Sequence, residues 1–176
     1  MNWKDLHLVA MYATVLIVKP KTIVELGTGL GKATEMFSDA LRVLGQGTVY
    51  TIDKYPENPQ VVEAKKRLRD RKNIVFITGD SVEVGESWKE PVDILYVDSD
   101  HSYSHVLNEL NVWGDKSRII FVHDIFKFDP SHPEEHGKLY DPYYAMADYC
   151  RESGRKYYIL GEYPKVKPEE CVGMIL

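Results

Sequence analysis

Apolar residues along this chain fall into two alternating patterns. Short continuous runs, rich in β-branched residues, lie at 22–27 (TIVELG), 48–53 (TVYTID), 74–78 (IVFIT), 92–97 (VDILYV) and 118–122 (RIIFV). Such runs read as strands buried on both faces. Between them the repeat is helical. Ala33, Met36, Phe37, Ala40, Leu41 and Leu44 form one stripe, stopped by Gly45-Gln46-Gly47. A charged helix is predicted over about 60–70, after a turn bracketed by Pro56 and Pro59, and a short, weak one over 82–89. Tyr103, Val106, Leu107, Leu110 and Trp113 share the face of a further helix. The rhythm breaks at 126–140 (FKFDPSHPEEHGKLY), a polar segment rich in proline and histidine. A helix at about 142–153 and two strands near 156–162 and 171–176 close the pattern. At the other end, Leu8 to Val18 is mostly apolar and predicts a packed helix within residues 1–20. It is too short to span a bilayer. The expected fold class is α/β: a single domain over 1–176 with a doubly wound, Rossmann-like, mostly parallel seven-stranded sheet and helices on both faces.

In sheets of this kind ligands bind outside the carboxyl ends of the strands. Five successive predicted strands end there in polar, mostly acidic residues: Glu25 near the first turn, Asp53, Asp80, Asp98 with Asp100-His101, and His123-Asp124. One or two such aspartates would be ordinary turn residues or helix caps. Five on one rim predict a site, with 126–140 as an active-site loop beside it.

The turn after the first strand narrows the ligand. Val24-Glu25-Leu26-Gly27-Thr28-Gly29-Leu30-Gly31 resembles two phosphate-binding turns and fits neither. A dinucleotide turn needs G-x-G-x-x-G, and its third glycine position is Lys32 here. A P-loop needs G-x-x-x-x-G-K-[ST]; Gly31-Lys32 follows Gly27 one residue too early, and Ala33 replaces the magnesium-holding hydroxyl. The remaining pattern, acid-x-G-x-G-x-G, suits a ligand without phosphates, since glycines let the backbone approach an uncharged ribose. Glu25 offers a carboxylate to an ammonium or an ordered water, and Asp53 can accept from both ribose hydroxyls. We read the turn as a site for S-adenosylmethionine (SAM), which carries an ammonium and a ribose and no phosphate; the alternative is a tight strand-to-helix turn with no ligand, which Asp53 at the end of the next strand disfavours.

Composition changes the picture only at its edges. The 176 residues are 44% hydrophobic and 28% charged, an ordinary globular mixture. The net charge of −5 argues against a nucleic-acid partner, because phosphate binding needs a basic surface. The basic run Lys65 to Lys72 reads as the solvated face and end of a helix. Two cysteines, Cys150 and Cys171, make neither a disulfide framework nor a zinc motif. A cytoplasmic protein with no membrane partner is the expectation, and predicted exposed aromatics are compatible with a homodimer.

Taken together, the VELGTGLG turn, the acid after the second strand and Gly79-Asp80 after the third resemble the class I SAM-dependent methyltransferases. Val97-Asp98-Ser99-Asp100-His101-Ser102-Tyr103 and Ile120-Phe121-Val122-His123-Asp124 resemble the D-G-x-H-x-Y and F-H-D motifs of the catechol O-methyltransferase-like branch. Its macrolide, rhamnosyl and cephalosporin hydroxylase-like small-molecule group is the most similar. Ser99 stands where that group has glycine, and Glu109 where it commonly has aspartate. The resemblance implies that Glu25, Gly27, Thr28, Gly29 and Gly31 line the methionine and ribose part, and that Asp53, followed by Lys54, binds the ribose. It implies that Asp80 and Ser81 face the adenine, with Asp98 at the cofactor's reacting end. Metal-dependent relatives hold magnesium on carboxylates after the fourth and fifth strands, which carries over to Asp98 and Asp124 with His123 beside them. His101 matches the general base of the macrolide enzymes, so His101 and Asp98 are the expected catalytic pair.

The implied reaction is displacement of a methyl group from SAM by the hydroxyl of a small molecule. Alignment is worth about 7–11 kcal/mol in such reactions and a positioned base about 10²–10⁴-fold. A divalent ion on Asp98, His123 and Asp124 would lower a hydroxyl pKa. Carboxylates suit Mg²⁺, while the imidazole suits Mn²⁺, iron or zinc. His105, His132 and His136 are weaker candidates for the base. Rival readings are a SAM-binding protein without methyl transfer, since fold does not fix function, and a nicotinamide-dependent oxidoreductase, which the glycine spacing disfavours. A nucleic-acid methyltransferase is the remote alternative, because Asp98-Ser99-Asp100-His101 replaces N-P-P-[FYW]-type residues.

Overall fold

The structure, a computed structural model, describes residues 6–125, 141–160 and 171–176. The predicted active-site loop 126–140 therefore lies outside the described residues. The elements run α1 (Leu6–Val18), β1 (Thr22–Leu26), α2 (Lys32–Leu44), β2 (Thr48–Asp53), α3 (Pro59–Leu68), β3 (Ile74–Thr78), α4 (Ser81–Ser87), β4 (Val92–Val97), α5 (Tyr103–Trp113), β5 (Ser117–Val122), α6 (Asp141–Ser153), β6 (Tyr157–Leu160) and β7 (Val172–Ile175).

One seven-stranded sheet has the order β3-β2-β1-β4-β5-β7-β6. β1 to β5 pair in parallel; β7 pairs antiparallel with both β5 and β6. The sheet is thus mixed, and the expectation of a mostly parallel one holds for its first five strands. Residues 161–171 between β6 and β7 are too few for the crossover of a dozen or more that a parallel pair requires.

The central strands lack inside-outside alternation because both faces are covered. Ile23, Val49, Ile94, Tyr96 and Phe121 pack with Met11 and Val15 of α1 and Met36, Phe37 and Leu41 of α2. Val24, Leu26, Ile52, Leu95, Val97 and Ile120 pack on the opposite face with Leu110 and Trp113 of α5 and Met146 of α6. Asn58 caps α3 with its side chain, Pro59 starts it, and Gly45 closes α2 in the left-handed conformation. Among the described residues no helix is long and apolar enough to cross a membrane.

The register places the polar residues. The N–H just past one strand donates to the last or next-to-last carbonyl of its neighbour: Gly27 to Ile52 (2.8 Å), Gly79 to Asp53 (3.1 Å), Asp98 to Leu26 (2.9 Å) and His123 to Val97 (3.0 Å). Five strands therefore end level, and their acidic endings share one rim. Between β1 and β4 the strand order reverses, which opens the crevice where ligands bind in such sheets.

Candidate active site

Two cavities open at that rim. One, of about 430 Å³, is lined by His7, Glu25, the glycine turn, Tyr96, Asp98 and His123. The other, of about 510 Å³, is lined by Asp53, Lys54, Asp80, Ser81, Ser99 and His105. Gly27, Gly29, Gln60 and Asp98 border both, so the two are lobes of one cleft.

The glycine turn is the wall between them. Gly27 has φ +93°, and a Cβ there would run into the carbonyl oxygen of Asp98. Gly31 caps α2 at φ +68°, where a Cβ would lie 2.9 Å from that of Ala64 on α3. Neither place admits an ordinary side chain. Gly29 instead faces open space.

In the larger lobe the predicted side chains are tied to one another. Asp53 Oδ2 accepts the N–H groups of Thr28 (3.1 Å) and Gly29 (3.4 Å), and Oδ1 accepts that of Tyr55 (2.9 Å). Thr28 bonds the Thr51 hydroxyl at 2.7 Å. Asp80 caps α4 by accepting from Val82 and Glu83, and its other oxygen lies 3.0 Å from Lys54 Nζ. The Lys54 bond, the largest cause, holds the Asp80 carboxyl below its ordinary pKa despite partial burial. Ser81 donates to Glu109 at 2.5 Å.

The smaller lobe carries the unsettled charges. Glu25 is 1% exposed, and its Oε2 accepts from Thr34 at 2.5 Å. Burial pushes its pKa up to about 8, against the opposing bonds from Thr34 and Thr51. Asp98 Oδ1 lies 3.0 Å from His123 Nδ1 and 3.5 Å from His101 Nε2, and its Oδ2 accepts from Tyr96 at 3.2 Å. Burial raises the Asp98 pKa, but the bonds from His101 and His123 outweigh it and leave the carboxyl well below its ordinary value. Asp124, at φ +51°, sits 3.2 Å from His123 Nδ1 and 3.5 Å from His101 Nε2. Asp tolerates that left-handed conformation better than most residues.

The predicted cofactor residues and His123 line the cleft, whereas His101 and Asp124 line neither lobe and join the site through their contacts with Asp98 and His123. The predicted metal set was Asp98, His123 and Asp124; among the described residues the ligand atoms of Asp98, His101 and His123 lie within 4.8 Å of one another, with Asp124 against both imidazoles. Two neighbours were missed. His7 of α1 places its ring 4.8 Å from that of His123, and the Tyr96 ring lies 5.8 Å from it. Tyr96 could have been placed by its position two residues before Asp98. His7 carried no signal beyond being a histidine in an apolar helix.

The methyltransferase domain family matches residues 24–125, more than half of the chain and the whole span from the glycine turn to the end of the rim. The chain belongs to that family. Solved structures agree on the fold of this methyltransferase domain. It is similar to an O-methyltransferase from Bacillus cereus in complex with S-adenosylhomocysteine (SAH), with TM-score 0.75, 16% identity, and coverage of 98% of this chain and 81% of that one. An SAH-bound methyltransferase from Podospora anserina gives TM-score 0.74 at 17% identity over 97% of this chain and 77% of that one. An O-methyltransferase of tomaymycin synthesis from Streptomyces achromogenes, in complex with SAM, gives 0.74 at 15% identity over 97% and 78%.

Proposed function

We propose that this methyltransferase domain is a SAM-dependent O-methyltransferase of a small hydroxylated molecule, working as a single domain. The observation that carries this reading is the two-lobed cleft divided by the glycine turn, with Asp98 bordering both lobes and two imidazoles against it. The lobe lined by Asp53, Asp80 and Ser81 suits the adenosine part. The lobe lined by Glu25 suits the methionine part and the substrate. SAM supplies a methyl group on an already activated sulfonium. The SAM and SAH complexes among similar folds, and the O-methyltransferase names of two of them, support this choice.

The chain's own residues then have separable tasks. Gly27 and Gly29 bring backbone against the cofactor, and Asp53 holds that backbone in shape through Thr28 and Gly29. Glu25, protonated below about pH 8 in the empty cleft, gives up its proton when an ammonium approaches. His101 takes the proton of the substrate hydroxyl at Nδ1, while its Nε2–H faces the carboxylates of Asp98 and Asp124, each 3.5 Å away, which stabilise the imidazolium.

The convergence of Asp98, His101 and His123 supports a second use of the same cluster. One carboxylate and two imidazoles, with Asp124 alongside, fit a divalent ion, and the imidazoles favour Mn²⁺ over Mg²⁺. Such an ion would lower the pKa of a substrate hydroxyl. His101 Nε2 cannot hold a cation and carry a proton at once, so the two uses exclude each other in any one complex. The test is SAH release from SAM across a panel of phenols, catechols and sugar hydroxyls, in EDTA and in Mn²⁺. Turnover in EDTA whose rising pH limb disappears in His101→Asn supports the base. Turnover only with Mn²⁺ supports the ion. Methyl transfer to none of the panel counts against O-methylation.

A further inference from the structure

The adenosine lobe contains a side-chain cluster that the reaction does not use. Glu109, on α5, is fully buried. Its Oε1 accepts from Ser81 Oγ and from Ser99 Oγ, both at 2.5 Å, and lies 3.2 Å from His105 Nε2. Its Oε2 is buried with no hydrogen-bond partner. His105, one turn earlier on α5, lines the cavity, and its Nε2 is also 3.1 Å from Ser81 Oγ.

These bonds fix the ring's protons. Ser81 spends its hydroxyl hydrogen on Glu109, so toward Nε2 it has only lone pairs to offer. Glu109 Oε1 offers only lone pairs as well. Nε2 therefore carries the hydrogen; the bond to Glu109 raises the ring's pKa above its ordinary value, and on the alkaline side of that shift the neutral ring keeps an unshared pair on Nδ1. Asp80, which the resemblance assigns to the adenine amine, has one oxygen on Lys54 and the other on two N–H groups of α4. An acceptor free of internal partners stands close by, on the ring of His105.

Resting on the SAM reading, we propose that His105 is a specificity-determining residue for the base of the cofactor. Its Nδ1 accepts a hydrogen bond from the exocyclic amine of adenine, and Glu109 acts through it as a positioning residue. A base with a carbonyl in place of the amine would set two acceptors against each other.

The test is calorimetric titration of SAH and of its deaminated analogue, S-inosylhomocysteine, into the intact protein at pH 8. The wild-type chain should prefer SAH by at least about tenfold. His105→Phe keeps a ring of similar volume and should bring the two affinities within about threefold by weakening SAH alone. His105→Asn keeps an amide oxygen near the place of Nδ1 and should retain most of the preference. Unfolding midpoints of both variants identify any loss that comes from misfolding, in which case the Asn variant decides. A preference unchanged in His105→Phe would overturn the role of His105 while leaving the SAM reading intact. Failure of the wild-type chain to bind SAH at all would sink both.

Discussion

The two lobes of the cleft are built from the same kind of residue and behave oppositely. Around Asp53 and Asp80 every carboxylate oxygen already has a partner in a backbone N–H or a lysine. Around Asp98 two imidazoles lie 3.0 and 3.5 Å from one oxygen, a second carboxylate, Asp124, lies 3.2 and 3.5 Å from those same imidazoles, and a buried glutamic acid lies across the turn. The first arrangement fixes a shape. The second stores charge that a proton, a cation or a substrate can rearrange. Fixed shape and crowded charge are thus separated along one rim.

The comparison can be broken most sharply at Asp98. Asp98→Asn keeps the size but removes the charge that the imidazoles face. Methyl transfer should fall by about 10²–10⁴-fold while SAH affinity changes by less than about tenfold. Equal losses in both would mean the lobes are not separable. Next comes the wall itself. Gly27→Ala should cost more than about 2 kcal/mol in urea unfolding, since the Cβ meets backbone and φ is +93°. A smaller loss would show that the β1 and β4 endings can part.

Asp53→Ala sharpens the contrast from the shape-fixing side. It removes the acceptor for Thr28 and Gly29 and should cost about 1–2 kcal/mol of stability. SAM affinity should fall at least tenfold, with the rate at saturating SAM nearly unchanged. A loss confined to that rate would reverse the assignment of the lobes.

Glu25 gives a pH signature. In the folded chain it keeps its proton to about pH 8, whereas its ordinary value is 4.5. Between those values the folded state binds the extra proton, so stability should fall as pH rises through that window. Glu25→Gln should flatten this slope and melt higher than the wild type at pH 8. A parallel pH dependence in both proteins would contradict the buried-acid account. The smallest effect belongs to Lys54→Ala, an exposed pair that should leave the unfolding midpoint unchanged.

Much of this fold was legible because patterning and punctuation agree. β2, β3 and β4 occupy the predicted residues, since each is a short apolar run with turn residues at its end. The level rim was legible because parallel strands in register must end together. The antiparallel β6-β7 hairpin was not legible in the runs themselves, whose direction shows only in the short connection between them, too short for a parallel crossover. Nor was the pairing among rim residues. Asp53 and Asp80 look alike in sequence to Asp98, and only the packing of α4 and the glycine turn shows that their oxygens are already engaged. His7 reaches the site from the far end of the sequence, through the docking of α1 on α2, which no local pattern records.

The most direct measurement is calorimetric titration of SAM into the purified protein in EDTA. A dissociation constant in the micromolar range, raised at least tenfold by Asp53→Ala, is the predicted result. No heat of binding from SAM or SAH, in EDTA or with Mn²⁺ added, would contradict the account at its centre.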